Sequence, residues 1–456
     1  MKIVDVKKNI FREYDIRGKY KKDIDEDVSY TIGRSYGSYL RERGQDTCVV
    51  GRDNRYSGES LKNSLVKGIL ESGVNVIDIG LVTTPLYYFA CIVLDVNKGI
   101  MVTASHNPKD DNGFKISFGN NQNAKGQEIK DFYEYTMKKE FVVGDGILAY
   151  QELDDNYYRY LLRDINVDKN LKVVIDCGNA TPSFYAPTLY SMLGVDLITM
   201  YGKSDPSFPN HHPDPSVKEN MLALSNMVKA VKADIGIAFD GDGDRVGFVD
   251  DKGRILDSDQ FMAIVVKHLA KHNKNCKFLY DVKCGNTLID AIKETESTGI
   301  MVRTGNSYTK SLTKENNCIF GGEYSGHVYF RDKFMGFDSG LYAGLRMLEI
   351  LTLEKEKLST LVDSLNKYSS SDEIKIETSD TLKFEIIEKI KEEIKEQGIE
   401  YKDIDGVRIE FDDGWGLVRA SNTGNHLTIR SEGKDIDTMN KILNLINELV
   451  DKYNKI

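Results

Sequence analysis

The chain has 456 residues, 40% hydrophobic and 29% charged, a globular composition long enough for several cores. Its 71 acidic against 61 basic residues leave a net charge of −10, which argues against a nucleic-acid partner, whose phosphates demand a basic footprint. The six dispersed cysteines form no CxxC pair, and the longest apolar run, Leu86 to Leu94, is too short to span a bilayer, so neither a disulfide framework nor a membrane partner is expected.

The N-terminus, from Met1 to Val6, has no apolar stretch of signal-peptide length, which points to a cytoplasmic protein with reduced thiols. Three β-branched runs then end in polar loops: Cys48 to Asp53, Val173 to Asn179, and Phe278 to Asn286. Each reads as a strand followed by a helix. Each is followed by a second strand (Gly73 to Val76, Gly194 to Leu197, Gly299 to Val302) and a third (Gly99 to Val102, Ile235 to Ala238, Cys318 to Gly321). Strands alternating with helical stretches imply βαβ units and parallel sheets, and ligands of such sheets bind beyond the strands' carboxyl ends. The loops after the third strands hold Ser105, Asp240 to Asp244, and Glu323 to His327, so all three chemically loaded segments fall at one place in a threefold repeat. Ser369 to Asp372 reads as a linker. Beyond it, Leu382 to Lys395 has apolar residues at helical spacing with Gly398 as a stop. Val407 to Ile409, a Gly414-Trp415-Gly416 turn, Leu417-Val418 and Leu427 to Arg430 suggest an antiparallel sheet, closed by a helix from about Ile436 to Val450. The predicted fold is therefore α/β: three similar mixed α/β domains and a C-terminal α+β domain, over residues 1–145, 146–252, 253–368 and 369–456.

Ser105 stands in Thr103-Ala104-Ser105-His106-Asn107-Pro108. The proline biases Asn107 away from the helical region, so the chain is expected to turn outward and expose the hydroxyl. Asp240, Asp242 and Asp244 alternate with glycines after a strand that reads as buried. Three carboxylates this close repel by roughly 4 kcal/mol per pair at 4 Å and intermediate dielectric, and a hard cation such as Mg²⁺ removes that penalty. A calcium-binding module fits less well, because Arg245 stands where an EF-hand loop needs glycine and Asp251 where it needs glutamate. Gly241-Asp242-Gly243 fails the dinucleotide fingerprint at Val246, Gly202-Lys203-Ser204 lacks the upstream glycine of a P-loop, and His268 and His272 lack the glutamate of a zinc protease, which leaves a solvated helix face. Glu323, Ser325 and His327 suit sugar hydroxyls and a proton shuttle, and the loop from Arg419 to Gly424, with Arg430 across a hairpin, suits a phosphate.

These motifs together resemble the α-D-phosphohexomutase superfamily, over essentially the whole chain and in order. Phe11 to Gly18 resembles the opening of the phosphomannomutase/phosphoglucomutase subgroup, Asn112 to Ile116 follows the serine loop as in that family, Gly322 to His327 reads GEYSGH against the subgroup's GEMSGH, and Arg419 to Thr423 reads RASNT. The resemblance implies four domains around a central cleft. It implies that Ser105 carries the phosphate and joins Asp240, Asp242 and Asp244 around Mg²⁺, with Arg245 beside it. It implies Arg17, Lys115 and His327 as proton-handling and charge-neutralising residues, Glu323 and Ser325 on the sugar, Arg419, Ser421, Asn422 and Thr423 on the phosphate not being transferred, and Tyr14 and Lys283 lining the cleft. Asn306 stands where the family often has histidine. The expected activity interconverts hexose 1-phosphate and hexose 6-phosphate, of mannose or glucose, through phosphoserine and a hexose 1,6-bisphosphate. Phosphoglucosamine mutase is the alternative. Small sugar phosphates are the expected partners, and the sequence favours neither a monomer nor a homodimer.

Overall fold

The computed structural model describes residues 1–120, 122–379, 381–421 and 424–454. They form two compact units, Met1–Leu256 with Ser325–Thr360, and Asp257–Tyr324 with Leu361–Ile456.

In the first unit, β1 (Ile16–Lys19), β2 (Thr47–Arg52), β3 (Asn75–Leu81), β4 (Gly99–Val102), β5 (Asp111–Ser117) and β6 (Leu148–Tyr150) form a sheet in the order β1-β5-β4-β2-β3-β6. A second sheet holds β7 (Lys172–Asp176), β8 (Asp196–Met200), β9 (Ile235–Phe239) and β10 (Val246–Asp250), in the order β10-β9-β7-β8. The repeat expected from the sequence is visible in both. The first strand lies in the middle, the second and third run parallel on its two sides, and a fourth returns antiparallel beside the third. Every residue of β4 and β9 is buried, as expected for parallel strands covered on both faces. Each third strand therefore ends abruptly in a loop at one edge of the core.

The second unit carries the third copy: β11 (Lys277–Asp281) lies between β12 (Thr298–Val302) and β13 (Phe320–Gly322), parallel to both. The chain then enters the first unit, where it forms β14 (Val328–Phe330) and the helix Gly340–Glu354, and returns. A second sheet of this unit contains β15 (Ser369–Ser370), β16 (Ile374–Glu377), β17 (Tyr401–Lys402), β18 (Val407–Phe411), β19 (Gly414–Ala420) and β20 (His426–Gly433). Its helices Leu382–Glu396 and Ile436–Tyr453 bury Ile386, Ile390, Ile394, Ile446 and Val450 against Val407, Ile409, Val418, Leu427 and Ile429. Among the described residues, no helix is long and apolar enough to cross a membrane.

Three local expectations fail. Ser369-Ser370 is not a linker but an edge strand antiparallel to β20, where Ser370 Oγ donates to Glu432 at 2.9 Å. Gly414-Trp415-Gly416 is not a turn but the start of β19. Its glycines exist because the closing helix rests on the strand: a Cβ on Gly416 would lie 2.8 Å from Ile442 and Ile446. His268 faces the core, not solvent, with its ring 5.1 Å from that of His272.

Candidate active site

Ser105 lies three residues past β4, with φ at +49°, a left-handed conformation that costs a non-glycine residue about 1–2 kcal/mol. The turn does not expose its hydroxyl, contrary to the sequence expectation. Ser105 is only 2% exposed, and its Oγ donates to Asp240 Oδ2 at 2.8 Å and lies 3.3 Å from His106 Nδ1. What covers it is the loop after β9. That loop packs so closely that a Cβ on Gly241 would sit 2.3 Å from the Ser105 carbonyl oxygen, which is why glycine separates the aspartates there.

Asp240, Asp242 and Asp244 are each wholly buried, with ligand oxygens within 4.8 Å of one another. Lys115, on β5, donates to Asp242 at 2.8 Å and to Asp244 at 2.6 Å. Thr84 and Thr103 add hydroxyl donors to Asp242 at 2.6 and 3.1 Å. These contacts sort the three carboxyls. Burial raises the pKa of all three in principle. In Asp242 the Lys115 ammonium and its hydrogen bond, with that of Thr84, overcome burial and hold the pKa below the usual range. Burial and the neighbouring carboxylates leave Asp240 and Asp244 raised. Burial opposes the charge on Lys115 as well, but Asp242 and Asp244 outweigh it and keep the lysine cationic. Among the described residues, neither Asp242 Oδ1 nor Asp244 Oδ1, both buried, has a hydrogen-bond partner. Hard, all-oxygen donors with two such orphaned atoms fit an oxygen-seeking divalent cation.

Arg245 closes the cluster. Its amide donates to Asp240 Oδ1 at 3.1 Å, and its Nε donates to His327 Nε2 at 3.0 Å. An arginine nitrogen only donates, so Nε2 of His327 is the acceptor and the ring proton sits on Nδ1. That Nδ1 lies 3.0 Å from Asp338 and 3.6 Å from Asp244. Arg17, on β1, bonds Asp15 and Asn107 at 2.6 Å each, which ties it to the serine loop. Tyr14 is half-buried within electrostatic reach of Arg245, and Ser325 is half-buried in the same unit. Ser105, Lys115, the three aspartates, Arg245 and His327 thus form one connected cluster in the first unit. Thr84, Thr103 and Asp338 belong to it but carried no separate signal in the sequence.

The other candidate residues lie in the second unit. Glu323 is buried and accepts from Gly305 N at 2.9 Å and from Thr309 Oγ1. Lys283 pairs with Glu373 at 2.7 Å, and Arg419 with Asp405 at 2.9 Å. Ser421 Oγ accepts from Gly424 N at 3.0 Å. Asn422 and Thr423 lie outside the described residues. Arg430 is wholly buried and stacks on the Tyr324 ring at 3.6 Å. It donates to the Lys283 carbonyl and lies 3.8 Å from Asp259, and among the described residues its Nη2 has no hydrogen-bond partner. Asn306 is buried in the first turn of the helix Asn306–Glu315.

Comparison with known proteins gives the family. Three successive models described as phosphoglucomutase/phosphomannomutase alpha/beta/alpha domains I, II and III match residues 8–142, 155–253 and 257–368, and the family's C-terminal domain matches 373–449. The chain is 38% identical to the phosphomannomutase/phosphoglucomutase of Pseudomonas aeruginosa over 434 residues, covering 95% of this chain and 94% of that protein. It is 36% identical to the phosphoglucomutase of Neisseria gonorrhoeae, covering 98% of each. The crystal structure of a phosphoglucomutase/phosphomannomutase family protein from Burkholderia thailandensis superposes with a TM-score of 0.91 at 36% identity, over 99% of this chain and 98% of that one. The chain belongs to the phosphoglucomutase/phosphomannomutase family.

Proposed function

We infer that the protein is an intramolecular phosphotransferase that interconverts hexose 1-phosphate and hexose 6-phosphate, of glucose, mannose or both, with Ser105 as phosphoryl carrier. The observation that carries this reading is the hydroxyl of Ser105, bonded at 2.8 Å to a wholly buried triad of carboxylates that Lys115 and Arg245 counter. A structural serine has no use for such a setting.

In the forward half-reaction the bond from phosphorus to Ser105 Oγ breaks as a bond to a sugar hydroxyl forms. The sugar hydroxyl loses its proton, and Ser105 Oγ ends protonated. The product of that step is a hexose 1,6-bisphosphate, and transfer of its other phosphate back to Ser105 completes the exchange. Such a transfer asks the protein for alignment and for neutralisation of the phosphoryl oxygens. Lys115, kept cationic by its carboxylates, and Arg245, fixed through His327 and Asp240, are placed to neutralise. Asp240, Asp242, Asp244 and Ser105 Oγ would hold Mg²⁺, which when bound supplies further positive charge to the phosphoryl group. Burial of Ser105 excludes water, which would otherwise hydrolyse the phosphoserine.

Glu323 and Ser325 are assigned to the sugar hydroxyls. Lys283, Arg419 and Ser421, with Asn422 and Thr423, are assigned to the phosphate not in transfer. One panel tests the reading: glucose-, mannose- and glucosamine-1-phosphate, each with a trace of the matching bisphosphate. Conversion of glucose- or mannose-1-phosphate is expected. Preference for the glucosamine substrate would favour phosphoglucosamine mutase, and conversion of none would overturn the assignment.

A further inference from the structure

The loop after β2, Asp53-Asn54-Arg55, has no role in the reading above. Arg55 is 2% exposed, and its guanidinium is aimed at the main chain of the serine loop. Nη1 donates to Pro108 O at 2.6 Å and Asp111 O at 2.9 Å, and Nη2 donates to Ser105 O at 2.8 Å and Asn107 O at 2.6 Å. Nε donates to Asp53 Oδ2 at 3.2 Å, so all five N–H groups are spent inside the protein. Asp53 is itself buried and also accepts from Arg55 N at 3.0 Å. Asn54 anchors the same loop from the other side, donating to Thr181 Oγ1 at 3.1 Å and Asn179 O at 3.0 Å.

A guanidinium bound to three carbonyls of one loop and to the first carbonyl of the strand after it is a clamp on that loop's shape. The loop needs one, because Ser105 is held at φ +49° and its carbonyl and hydroxyl point to different partners. Arg55 takes the carbonyl, and Asp240 takes the hydroxyl. Were the carbonyl released, the backbone would relax from the left-handed region and carry Oγ away from the carboxylates.

We propose that Arg55 is the positioning residue of the phosphoryl-carrying serine, fixing the backbone of residues 105–111 so that Ser105 Oγ meets Asp240. The proposal rests on the reading of Ser105 as carrier. Arg55 touches no reacting atom, so its loss lowers turnover rather than substrate affinity.

Arg55→Lys keeps a cation beside Asp53 but gives up the planar fork. Its kcat for glucose 1-phosphate is expected to fall about 10²-fold with KM unchanged, the scale of a misplacement of about 1 Å. Asp53→Asn combined with Arg55→Met removes the buried charge pair altogether. That double variant leaves no buried charge unpaired and is expected to stay folded, with a lower melting temperature from the unpaired carbonyls, while kcat stays low. Wild-type kcat in Arg55→Lys, recovery of both kcat and melting temperature in the double variant, or failure of both variants to fold would each overturn the proposal. A second readout separates the clamp from the reaction: hydrogen exchange at the amides of residues 105–111 is expected to quicken in Arg55→Lys. Unchanged exchange overturns the clamp. A wild-type protein that never carries phosphate on Ser105 overturns the functional reading while leaving the exchange result to judge the clamp.

Discussion

Replacing Lys115 with methionine keeps the length and apolar stem of the side chain and removes its charge. In the structure that ammonium, 4% exposed, lies 2.8 and 2.6 Å from two wholly buried carboxylates. Contacts of this kind are worth roughly 4 kcal/mol each at an effective dielectric of 20, and the repulsions among the aspartates are of similar size. Removing one partner of a buried pair costs about 3–5 kcal/mol, because the remaining charge has no compensation. Lys115→Met in EDTA is therefore expected to lose on the order of 3–5 kcal/mol of stability, read as a lower denaturant midpoint. Mg²⁺ is expected to return part of that loss and to bind more tightly than to the wild type, since it no longer competes with an ammonium. Catalysis is expected to fall sharply in either condition. A variant that unfolds with the wild type in EDTA, or that binds Mg²⁺ more weakly, would refute the view of Lys115 as the internal counter-ion of the triad.

Two other outcomes follow from local geometry. In Gly241→Ala the new Cβ would lie 2.3 Å from the Ser105 carbonyl oxygen, so the serine and aspartate loops must part. Kinetics and melting together should show a loss of about 10²-fold in kcat beside a modest overpacking cost of about 1–3 kcal/mol, and wild-type kcat would contradict the packing argument. Glu373 bears on pH. Burial works to raise its pKa, but Lys283 overcomes burial and brings it from 4.5 down to about 2. A carboxyl whose folded pKa is depressed contributes stability that is complete above the unfolded value, here about 4.5, and is lost as pH falls toward about 2. Denaturant midpoints measured across that window should therefore fall less steeply with acid in Glu373→Gln than in the wild type, and identical slopes would remove the pair from the account.

Much of the fold was legible because the threefold repeat is written in strands too apolar to lie anywhere but between two layers, and each ends in a loop whose residues are out of character with a core. The Asp240 loop could be read this way because three carboxylates after a buried strand have few stable explanations. The burial of Ser105 could not. It depends on a loop 135 residues away, and a Ser-His-Asn-Pro turn looks the same in solvent as beneath a lid of glycine backbone. Arg55 was missed for a related reason: an arginine just past a strand reads as surface charge, and its four carbonyl partners lie 50 to 56 residues further on. Gly414-Trp415-Gly416 shows the opposite error. Glycines suggest a turn from local freedom, yet here they answer to a helix packed on the strand from a later part of the chain. Arg430 has the chemistry of a phosphate ligand, and its complete burial against Tyr324 was not legible in the sequence.

The most direct test is the intact mass of the protein after incubation with glucose 1,6-bisphosphate and Mg²⁺, with Ser105→Ala in parallel and fragment spectra to place any modification. The expected result is one phosphate per wild-type chain, located on Ser105, and none on an alanine variant that has also lost turnover. Full turnover by Ser105→Ala, or a phosphate found on another residue of the wild type, would contradict Ser105 as the phosphoryl carrier.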